Sequence, residues 1–359
     1  MDVTIEELED DMYRHVIKKR PFFVHGPPGI GKSDTVRAVA RRIAKDLTLP
    51  FTEGVCDPAA FCLVDRRLTL MDPTDLTGLP FADRGMTRYL QPAWLPTAGV
   101  GILFLDELSN AAPLMQAAGQ QLVLDRRAGD YTLPEGWAIL AAGNRLSDKA
   151  HVFETSSALN NRFSHATLLV PSEPAWRTWA ITHHLHSDVI AFVAANPQWL
   201  FKFDPAAKDP AFPTPRSWAG CSALIEGLTP DSKAAITTMF RLTAEHVGQG
   251  AAMAFEGFLK IRKTLQIDDL LTHPEKVTTI AENDQLFALS AGLASRYAAD
   301  RKLMNPILAV LAYVAREDIA VFALRLMKGT QAEQFGDDLT KAPRWTTLAA
   351  RFRPFLVDD

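Results

Sequence analysis

The sequence predicts an α/β fold in which a parallel sheet is flanked by helices and followed by an all-helical part. Three observations support this class. A glycine-rich loop, Gly26–Ser33, lies between an apolar segment and a helical pattern. The apolar run Gly101–Leu105 (GILFL) is typical of a strand buried on both faces. Strand-like and helix-like segments alternate over residues 21–170, which favours βαβ units, whereas no convincing strand pattern follows residue 175.

The individual elements follow from apolar spacing and from the residues that interrupt it. Apolar residues recur at helical spacing near the amino terminus, so a leading helix is predicted over residues 1 to about 20. Strands are predicted at residues 21–25, 66–71, 101–105, 137–142 and 166–170. Helical patterns punctuated by glycine and proline are predicted at residues 175–185, 187–195, 216–227, 231–245, 250–264, 283–300, 304–314, 316–328 and 341–353.

The loop Gly26–Ser33 (GPPGIGKS) matches the phosphate-binding pattern G-x-x-x-x-G-K-[ST]. Its glycines let the backbone approach an anion, and successive N–H groups and a helix amino terminus then face that anion. We therefore expect Lys32 to reach the β- and γ-phosphates of ATP and the Ser33 hydroxyl to hold Mg²⁺. The expected nucleotide-binding residues are Gly26, Pro27, Pro28, Gly29, Ile30, Gly31, Lys32, Ser33 and Asp34.

A second candidate element is the apolar strand that ends in Asp106 and Glu107. Groups at the carboxyl end of a central strand lie beside a phosphate loop. We expect Asp106 to hold Mg²⁺ through its water shell and Glu107 to orient and polarise the attacking water. An exposed acidic pair at a helix start is the alternative interpretation, because acids are also favoured there. The pairing with the phosphate loop favours the catalytic interpretation.

Composition limits the class of protein. The 359 residues are 47% hydrophobic and 22% charged, a globular profile that suggests about two domains. The net charge of −4 disfavours nucleic acid and anionic membranes as partners. Three cysteines (Cys56, Cys62 and Cys221) fit neither a disulfide framework nor a paired metal motif, which favours a cytoplasmic location. No stretch approaches the roughly 18 apolar residues of a membrane span.

These motifs resemble those of AAA+ ATPases and, within that group, of the MoxR-type ATPases. The resemblance covers residues 20 to about 228. Asp72–Gly78 (DPTDLTG) resembles the segment that opens the family's insert in helix 2. Asp125–Trp137 (DRRAGDYTLPEGW) resembles its hairpin before the sensor 1 strand, and Ala141–Arg145 (AAGNR) resembles the end of that strand. The stretch 47–65 is longer than expected for a plain MoxR module.

The resemblance implies three further site residues. Asn144 takes the place of sensor 1, where a neutral amide can hydrogen-bond the γ-phosphate and the attacking water. Arg162 takes the place of the arginine finger, which faces the nucleotide of the next subunit. Arg145 is a rival for that role. Arg216 takes the place of sensor 2, at the start of a helix that could close over the γ-phosphate.

The resemblance also implies three parts. Residues 1–171 would form an AAA+ α/β nucleotide-binding domain with a leading helix, an insert at about 75–95 and a hairpin at about 125–137. Residues 172–265 would form an α-helical lid. Residues 266–359 would form a helical carboxy-terminal extension, onto which no family residue can be carried.

On this resemblance, we expect hydrolysis of ATP to ADP and phosphate with Mg²⁺, by a homo-oligomeric ring that is a hexamer in the family. The expected partner is a protein to be remodelled or matured, often one that carries a von Willebrand factor A domain. Two alternatives stay open. A nucleic-acid motor or loader would need a local basic pore, because the chain as a whole is acidic. A nucleotide-gated scaffold with negligible turnover would not need Glu107, Asn144 and Arg162.

Overall fold

The computed structural model describes residues 1–54, 56–148, 153, 155–204, 206 and 209–352. The chain divides into two compact units, Met1–Pro171 and Ser172–Asp359. The first unit is built on a sheet, and the described part of the second unit is helical. The predicted fold class, a parallel α/β sheet followed by a helical part, is confirmed.

The first unit contains strands and helices in alternation. Its strands are β1 (Asp2–Val3), β2 (Phe22–His25), β3 (Phe51–Glu53), β4 (Phe61–Arg67), β5 (Leu79–Asp83), β6 (Met86–Leu90), β7 (Val100–Asp106), β8 (Arg127–Ala128), β9 (Tyr131–Thr132), β10 (Trp137–Gly143) and β11 (Ser164–Leu168). Its helices are α1 (Ile5–Ile17), α2 (Lys32–Asp46), α3 (Pro73–Thr77), α4 (Pro113–Asp125) and α5 (Ser157–Asn160).

Seven of these strands form one parallel sheet in the order β1-β11-β2-β10-β7-β4-β3. The central strands are continuous apolar runs because helices cover both faces of a parallel sheet, and β10 is buried along its whole length. Parallel strands end at the same edge of a sheet. The residues that follow β2, β7 and β10 therefore meet at the carboxyl edge, which is the usual place for a ligand in such folds.

The strand predicted at residues 66–71 is wrong in position. The strand is Phe61–Arg67, and Leu68–Leu70 form a 3-10 turn after it. Asp65, near the end of the strand, binds Arg37 of α2 at 2.9 Å, so charged residues belong to the sheet here. The sequence pattern displaced the strand because the apolar alternation continues into the turn. The strands β1 and β3 were not anticipated, because two or three residues are too few to show a period.

Two antiparallel hairpins interrupt the βαβ order. Strand β5 pairs with β6, and β8 pairs with β9. They lie within the segments 75–95 and 125–137, which the family resemblance assigns to an insert and a hairpin. The backbone N–H of Tyr89 donates to a carboxylate oxygen of Asp130 at 3.3 Å, so the two hairpins contact each other.

The second unit is a set of packed helices, and no strand occurs among its described residues. The helices are α6 (Glu173–Thr182), α7 (Ser187–Ala195), α8 (Pro215–Leu224), α9 (Lys233–Val247), α10 (Gln249–Thr264), α11 (Ile267–Thr272), α12 (Asn283–Ala299), α13 (Met304–Tyr313), α14 (Glu317–Thr330), α15 (Ala332–Lys341) and α16 (Trp345–Phe352). Their hydrophobic core runs from Trp176 to Phe352. The core includes residues on both sides of residue 265, so the segments 172–265 and 266–359 share it.

The helix predicted at residues 341–353 corresponds mainly to α16. The residues before it form a further helix, α15, that the sequence pattern missed. Only Phe335 and Leu339 are buried on α15, so its apolar stripe is short. Pro343 lies between the two helices, where its missing N–H cannot continue a helix. No helix in the described part of the chain is long and apolar enough to cross a membrane.

Candidate active site

The phosphate-loop segment leads directly from β2 into α2. Gly29 and Gly31 have φ of 77° and 104°, in the left-handed region that glycine adopts without steric cost. A Cβ added at Gly31 would meet no atom within 4 Å, so the backbone here faces open space. Helix α2 begins at Lys32, and its first N–H groups lie beside that space. The loop therefore has the shape of an anion cradle.

Lys32 places its ammonium group over this loop. The Nζ atom donates to the carbonyl oxygens of Gly26 at 2.6 Å and Pro27 at 2.9 Å. It also donates to Oδ1 of Asn144 at 3.2 Å. Asn144 directly follows β10. Lys32, from the loop after β2, and Asn144, from the end of a different strand, therefore meet at one point. The ammonium supplies the positive charge that a phosphate group would require there.

Ser33 and Asp106 form the second contact across the site. The Ser33 hydroxyl donates to Oδ2 of Asp106 at 3.0 Å. Asp106 is the last residue of β7 and is only 9% exposed, and its Oδ1 accepts the backbone N–H of Glu107 at 2.9 Å. A hydroxyl and a carboxylate oxygen side by side are hard oxygen ligands of the kind that Mg²⁺ binds together with water and phosphate. These two residues therefore fit the metal predicted for them.

Glu107 has an unusual backbone and a specific partner. Its φ of 58° lies in the left-handed region, where residues other than glycine are uncommon and often functional. Its carboxylate accepts a hydrogen bond from the hydroxyl of Thr69, in the turn after β4. Sequence reasoning missed Thr69. The pairing of Arg67 with Asp106 in the sheet register is the feature that brings this turn beside Glu107, and it is not visible in the sequence.

The end of β10 is tied to the turn that follows Glu107. The Ser109 hydroxyl donates to the backbone oxygen of Asn144 at 3.1 Å. A Cβ added at Gly143 would lie 2.3 Å from Oγ of Ser109, so only glycine permits this close approach. The Ser109 hydroxyl thus connects the backbone of Asn144 to the turn that follows Glu107.

The three predicted arginines differ in their surroundings. Arg145 is engaged, because its Nη2 lies 2.8 Å from the carboxylate of Asp148, which is 4% exposed. Arg162 is exposed just after α5, and its guanidinium forms no hydrogen bond or ion pair with another described residue. Arg216 is exposed in the first turn of α8 in the second unit and likewise has no described partner. Of the two rivals for the finger role, Arg162 is the one that presents an available cation.

A charged network that sequence reasoning did not identify borders Asp106. Arg37 on α2 contacts the carboxylates of Asp34 at 3.4 Å, Glu53 at 2.8 Å and Asp65 at 2.9 Å. Burial raises the pKa of Asp65, the negative charge of Asp106 raises it further, and Arg37 opposes both effects. A second carboxylate thus lies near the proposed metal ligand, and the positive charges of Arg37 and Arg67 partly offset it.

No protein-family model matches the chain, and no curated protein matches it. Several solved structures are similar to it at low identity. NtrX from Brucella abortus in complex with ADP is 15% identical, with 98% of this chain and 68% of that chain covered and a TM-score of 0.35. A RuvB mutant from Thermotoga maritima is 16% identical, with 76% and 74% covered and a TM-score of 0.34. The ORC2 protein from Aeropyrum pernix is 11% identical, with 76% and 71% covered and a TM-score of 0.36.

Proposed function

We propose that this chain is an AAA+-type ATPase that hydrolyses ATP to ADP and phosphate with Mg²⁺. The observation that carries the proposal is a convergence of side chains at the carboxyl edge of the sheet. Lys32 Nζ lies 3.2 Å from the amide oxygen of Asn144, and Ser33 Oγ lies 3.0 Å from the carboxylate of Asp106. A cation, hard oxygen ligands and an acid beside an anion cradle are the groups that phosphoryl transfer requires.

The loop and the side chains that already contact one another at this edge of the sheet would bind the triphosphate. The loop N–H groups and Lys32 would bind the β- and γ-phosphates, and Lys32 would exchange the carbonyl oxygens of Gly26 and Pro27 for phosphate oxygens. Ser33 and Asp106 would hold Mg²⁺, which would neutralise phosphate charge there. The nucleotide would therefore be held by backbone dipoles and by the ammonium of Lys32.

Hydrolysis needs one oriented water and one proton acceptor. Glu107 would accept the proton of a water that attacks the γ-phosphorus, while the bond to the β-phosphate oxygen breaks and ADP leaves. Thr69 holds the carboxylate of Glu107 in one orientation through its hydroxyl. Asn144 would donate its amide N–H₂ to the γ-phosphate, since its oxygen accepts from Lys32.

The exposed Arg162 extends the proposal to an assembly. A cation that has no described partner in its own chain can complete the site of a neighbouring copy, as an arginine finger does. We therefore propose a ring of the MoxR-like type, a hexamer by resemblance, with Arg216 as sensor 2 on a helical lid. The proposed task is remodelling or maturing a partner protein in the cytoplasm.

Nucleotide binding tests the core of this proposal. Lys32→Ala should abolish ATP binding measured by titration calorimetry, because the phosphates lose their principal cation. Lys45→Ala is the matched control, since Lys45 is exposed at the other end of α2 and should leave the affinity unchanged. Equal ATP affinity in the parent chain and in Lys32→Ala would refute the site.

Subunit mixing tests the assembly. Arg162→Ala and Lys32→Ala should each lose turnover, and a mixture should recover part of it, because intact sites form where Lys32 of one copy meets Arg162 of another. A mixture as inactive as its components would exclude a trans role for Arg162. Salt-sensitive stimulation of turnover by DNA would favour a nucleic-acid motor in place of protein remodelling.

A further inference from the structure

Two histidines connect the strand before the phosphate loop to the last strand of the sheet. Strand β11 pairs in parallel with β2 so that His165 lies opposite Phe23. His25 is two residues further along β2 and therefore shares that face of the sheet. The ring centroids of His25 and His165 are 5.2 Å apart, the ring planes differ by 20°, and a nitrogen–nitrogen distance of 2.9 Å places the two rings edge to edge. The sheet register thus fixes this contact.

The hydrogen bonds of the pair run in one direction. His165 Nε2 lies 2.7 Å from the carbonyl oxygen of Asn160, which can only accept, so Nε2 carries the hydrogen. In the neutral ring Nδ1 of His165 is then an acceptor, and Nε2–H of His25 donates to it at 2.9 Å. Both tautomers follow from the single acceptor at the end of this chain of hydrogen bonds.

The His165 end of this series of hydrogen bonds fixes the turn that carries Arg162. Asn160 is the last residue of α5, and its side-chain oxygen accepts from the Thr155 hydroxyl at 2.6 Å. The backbone N–H of Arg162 donates to the Leu159 oxygen at 3.1 Å. Arg162 lies two residues after the carbonyl that His165 binds, so the direction of its guanidinium depends on the orientation of this turn.

The His25 end of the series of hydrogen bonds adjoins the phosphate loop. His25 is directly followed by Gly26, whose oxygen accepts from Lys32 and whose N–H donates to the Gly143 oxygen at 3.2 Å. A Cβ added at Gly26 would lie 3.1 Å from the backbone oxygen of Leu168 on β11, so the base of the loop packs tightly against that strand. A phosphate that takes the ammonium of Lys32 away from the Gly26 oxygen changes the contacts next to His25.

We propose that His25 and His165 are positioning residues that couple the phosphate loop to the turn carrying Arg162. The inference rests on the proposed function, because it assumes that Lys32 binds phosphate and that Arg162 acts on a neighbouring site. Neither histidine contacts the reacting groups. Each acts through another residue: His25 through the loop and His165 through the carbonyl of Asn160. The nucleotide state of one copy would thus set the direction of the cation that it offers to the next.

Hydrogen exchange measures this coupling without turnover. The backbone N–H groups of residues 160–163 all donate within the turn, so their exchange rates report its order. ADP with Mg²⁺ should change these rates in the full chain. The change should be lost in His165→Phe, which keeps an aromatic ring at this position and removes both hydrogen bonds. It should persist in Arg162→Ala, which removes the guanidinium and keeps the histidine link.

Controls separate this inference from the proposed function. Calorimetry should give the same ADP affinity for the parent chain and His165→Phe, and His165→Gln, which retains a donor and an acceptor, should recover part of the exchange change. If His165→Phe does not fold, His25→Phe carries the same test from the other side of the link. His165→Phe should lower turnover by up to about 100-fold in the parent chain. Added to Arg162→Ala, it should lower turnover no further.

The outcomes that overturn the inference are distinct. A chain that binds no ADP overturns both the proposed function and the coupling. A chain that binds ADP without any change at residues 160–163 overturns the coupling alone. The coupling is also overturned if the change in exchange rates survives in His165→Phe. It is overturned too if that change disappears in Arg162→Ala, because direct contact of the guanidinium with nucleotide would then explain it.

Discussion

The two units of the chain differ in where a buried carboxylate lies and in what it contacts. In the sheet unit, Ser33 and Asp106 contact each other at the carboxyl edge, beside a loop glycine that faces open space. In the helical unit, Asp188 and Arg262 lie 2.6 Å apart inside the core, 1% and 6% exposed, as an ion pair without an aligned hydrogen bond. Buried charge alone therefore does not mark a site. Position at strand ends beside an open anion cradle is what favours the candidate site.

The largest expected effect is on the sheet side of this comparison. Glu107→Gln should lower turnover by about 10²- to 10⁴-fold, because the amide cannot accept the proton of the attacking water. ATP affinity and the unfolding midpoint should stay unchanged, since the geometry of the site survives. Phosphate release and calorimetry measure the two quantities. Turnover equal to that of the parent chain would assign Glu107 a structural role instead.

In the helical unit, loss of the buried ion pair should lower the stability of the fold. Arg262→Met should lower the free energy of unfolding by about 3–5 kcal/mol, because Asp188 is left buried without its guanidinium partner and with only the ring of His186 nearby, at 3.8 Å. Chemical denaturation measures this change. The double variant Asp188→Leu with Arg262→Met should recover most of it, since no charge remains in the core.

A surface pair provides the matched control for that measurement. Arg241 and Glu245 on α9 lie 2.8 Å apart with both side chains more than half exposed, and Arg241→Ala should cost no more than about 0.5 kcal/mol. Equal losses in Arg241→Ala and Arg262→Met would contradict the structural interpretation of the buried pair.

His25 should give the sheet unit a pH-dependent stability. Burial, together with the smaller effects of His165 and Lys32, lowers the pKa of His25 from 6.5 to about 4. The folded state then binds fewer protons than the unfolded state between these two values. The free energy of unfolding should therefore fall as the pH drops from 6.5 towards 4, by up to about 3 kcal/mol. His25→Phe should flatten this slope in denaturation curves, and a slope that is identical in both proteins would exclude His25 as its source.

The smallest effect concerns the orientation of Glu107. Thr69→Val removes the hydroxyl that donates to its carboxylate and should lower turnover about tenfold, the equivalent of about 1.4 kcal/mol. Thr87→Val, at an exposed position on β6, is the control and should have no effect. A rise in turnover would mean that Thr69 restrains Glu107 from its working position.

Local chemistry made part of the site predictable. The loop Gly26–Ser33 was identifiable because an anion cradle demands glycines, a lysine and a hydroxyl at fixed spacing along one segment. Asp106 and Glu107 were identifiable because they end an apolar strand. The sheet brings these segments together as expected, although their catalytic roles stay predictions.

The residues that were missed depend on strand pairing. Thr69 and Asp65 reach the site because β4 lies next to β7, and no pattern within β4 encodes that neighbour or its register. The strand at residues 66–71 was misplaced for a related reason, because Asp65 of β4 is paired with Arg37 on helix α2 and no pattern within β4 shows that partner. Likewise, the link between His25 and His165 depends on the pairing of β2 with β11.

The glycine at the end of β10 carries a practical consequence. A methyl group at position 143 would collide with the oxygen of Ser109, and the turn that bears the acid would have to separate from the strand that bears the amide. Alanine there changes neither charge nor polarity and touches no reacting atom. An inactive Gly143→Ala protein would therefore be evidence about spacing, and it should not be taken as evidence that position 143 participates in the chemistry.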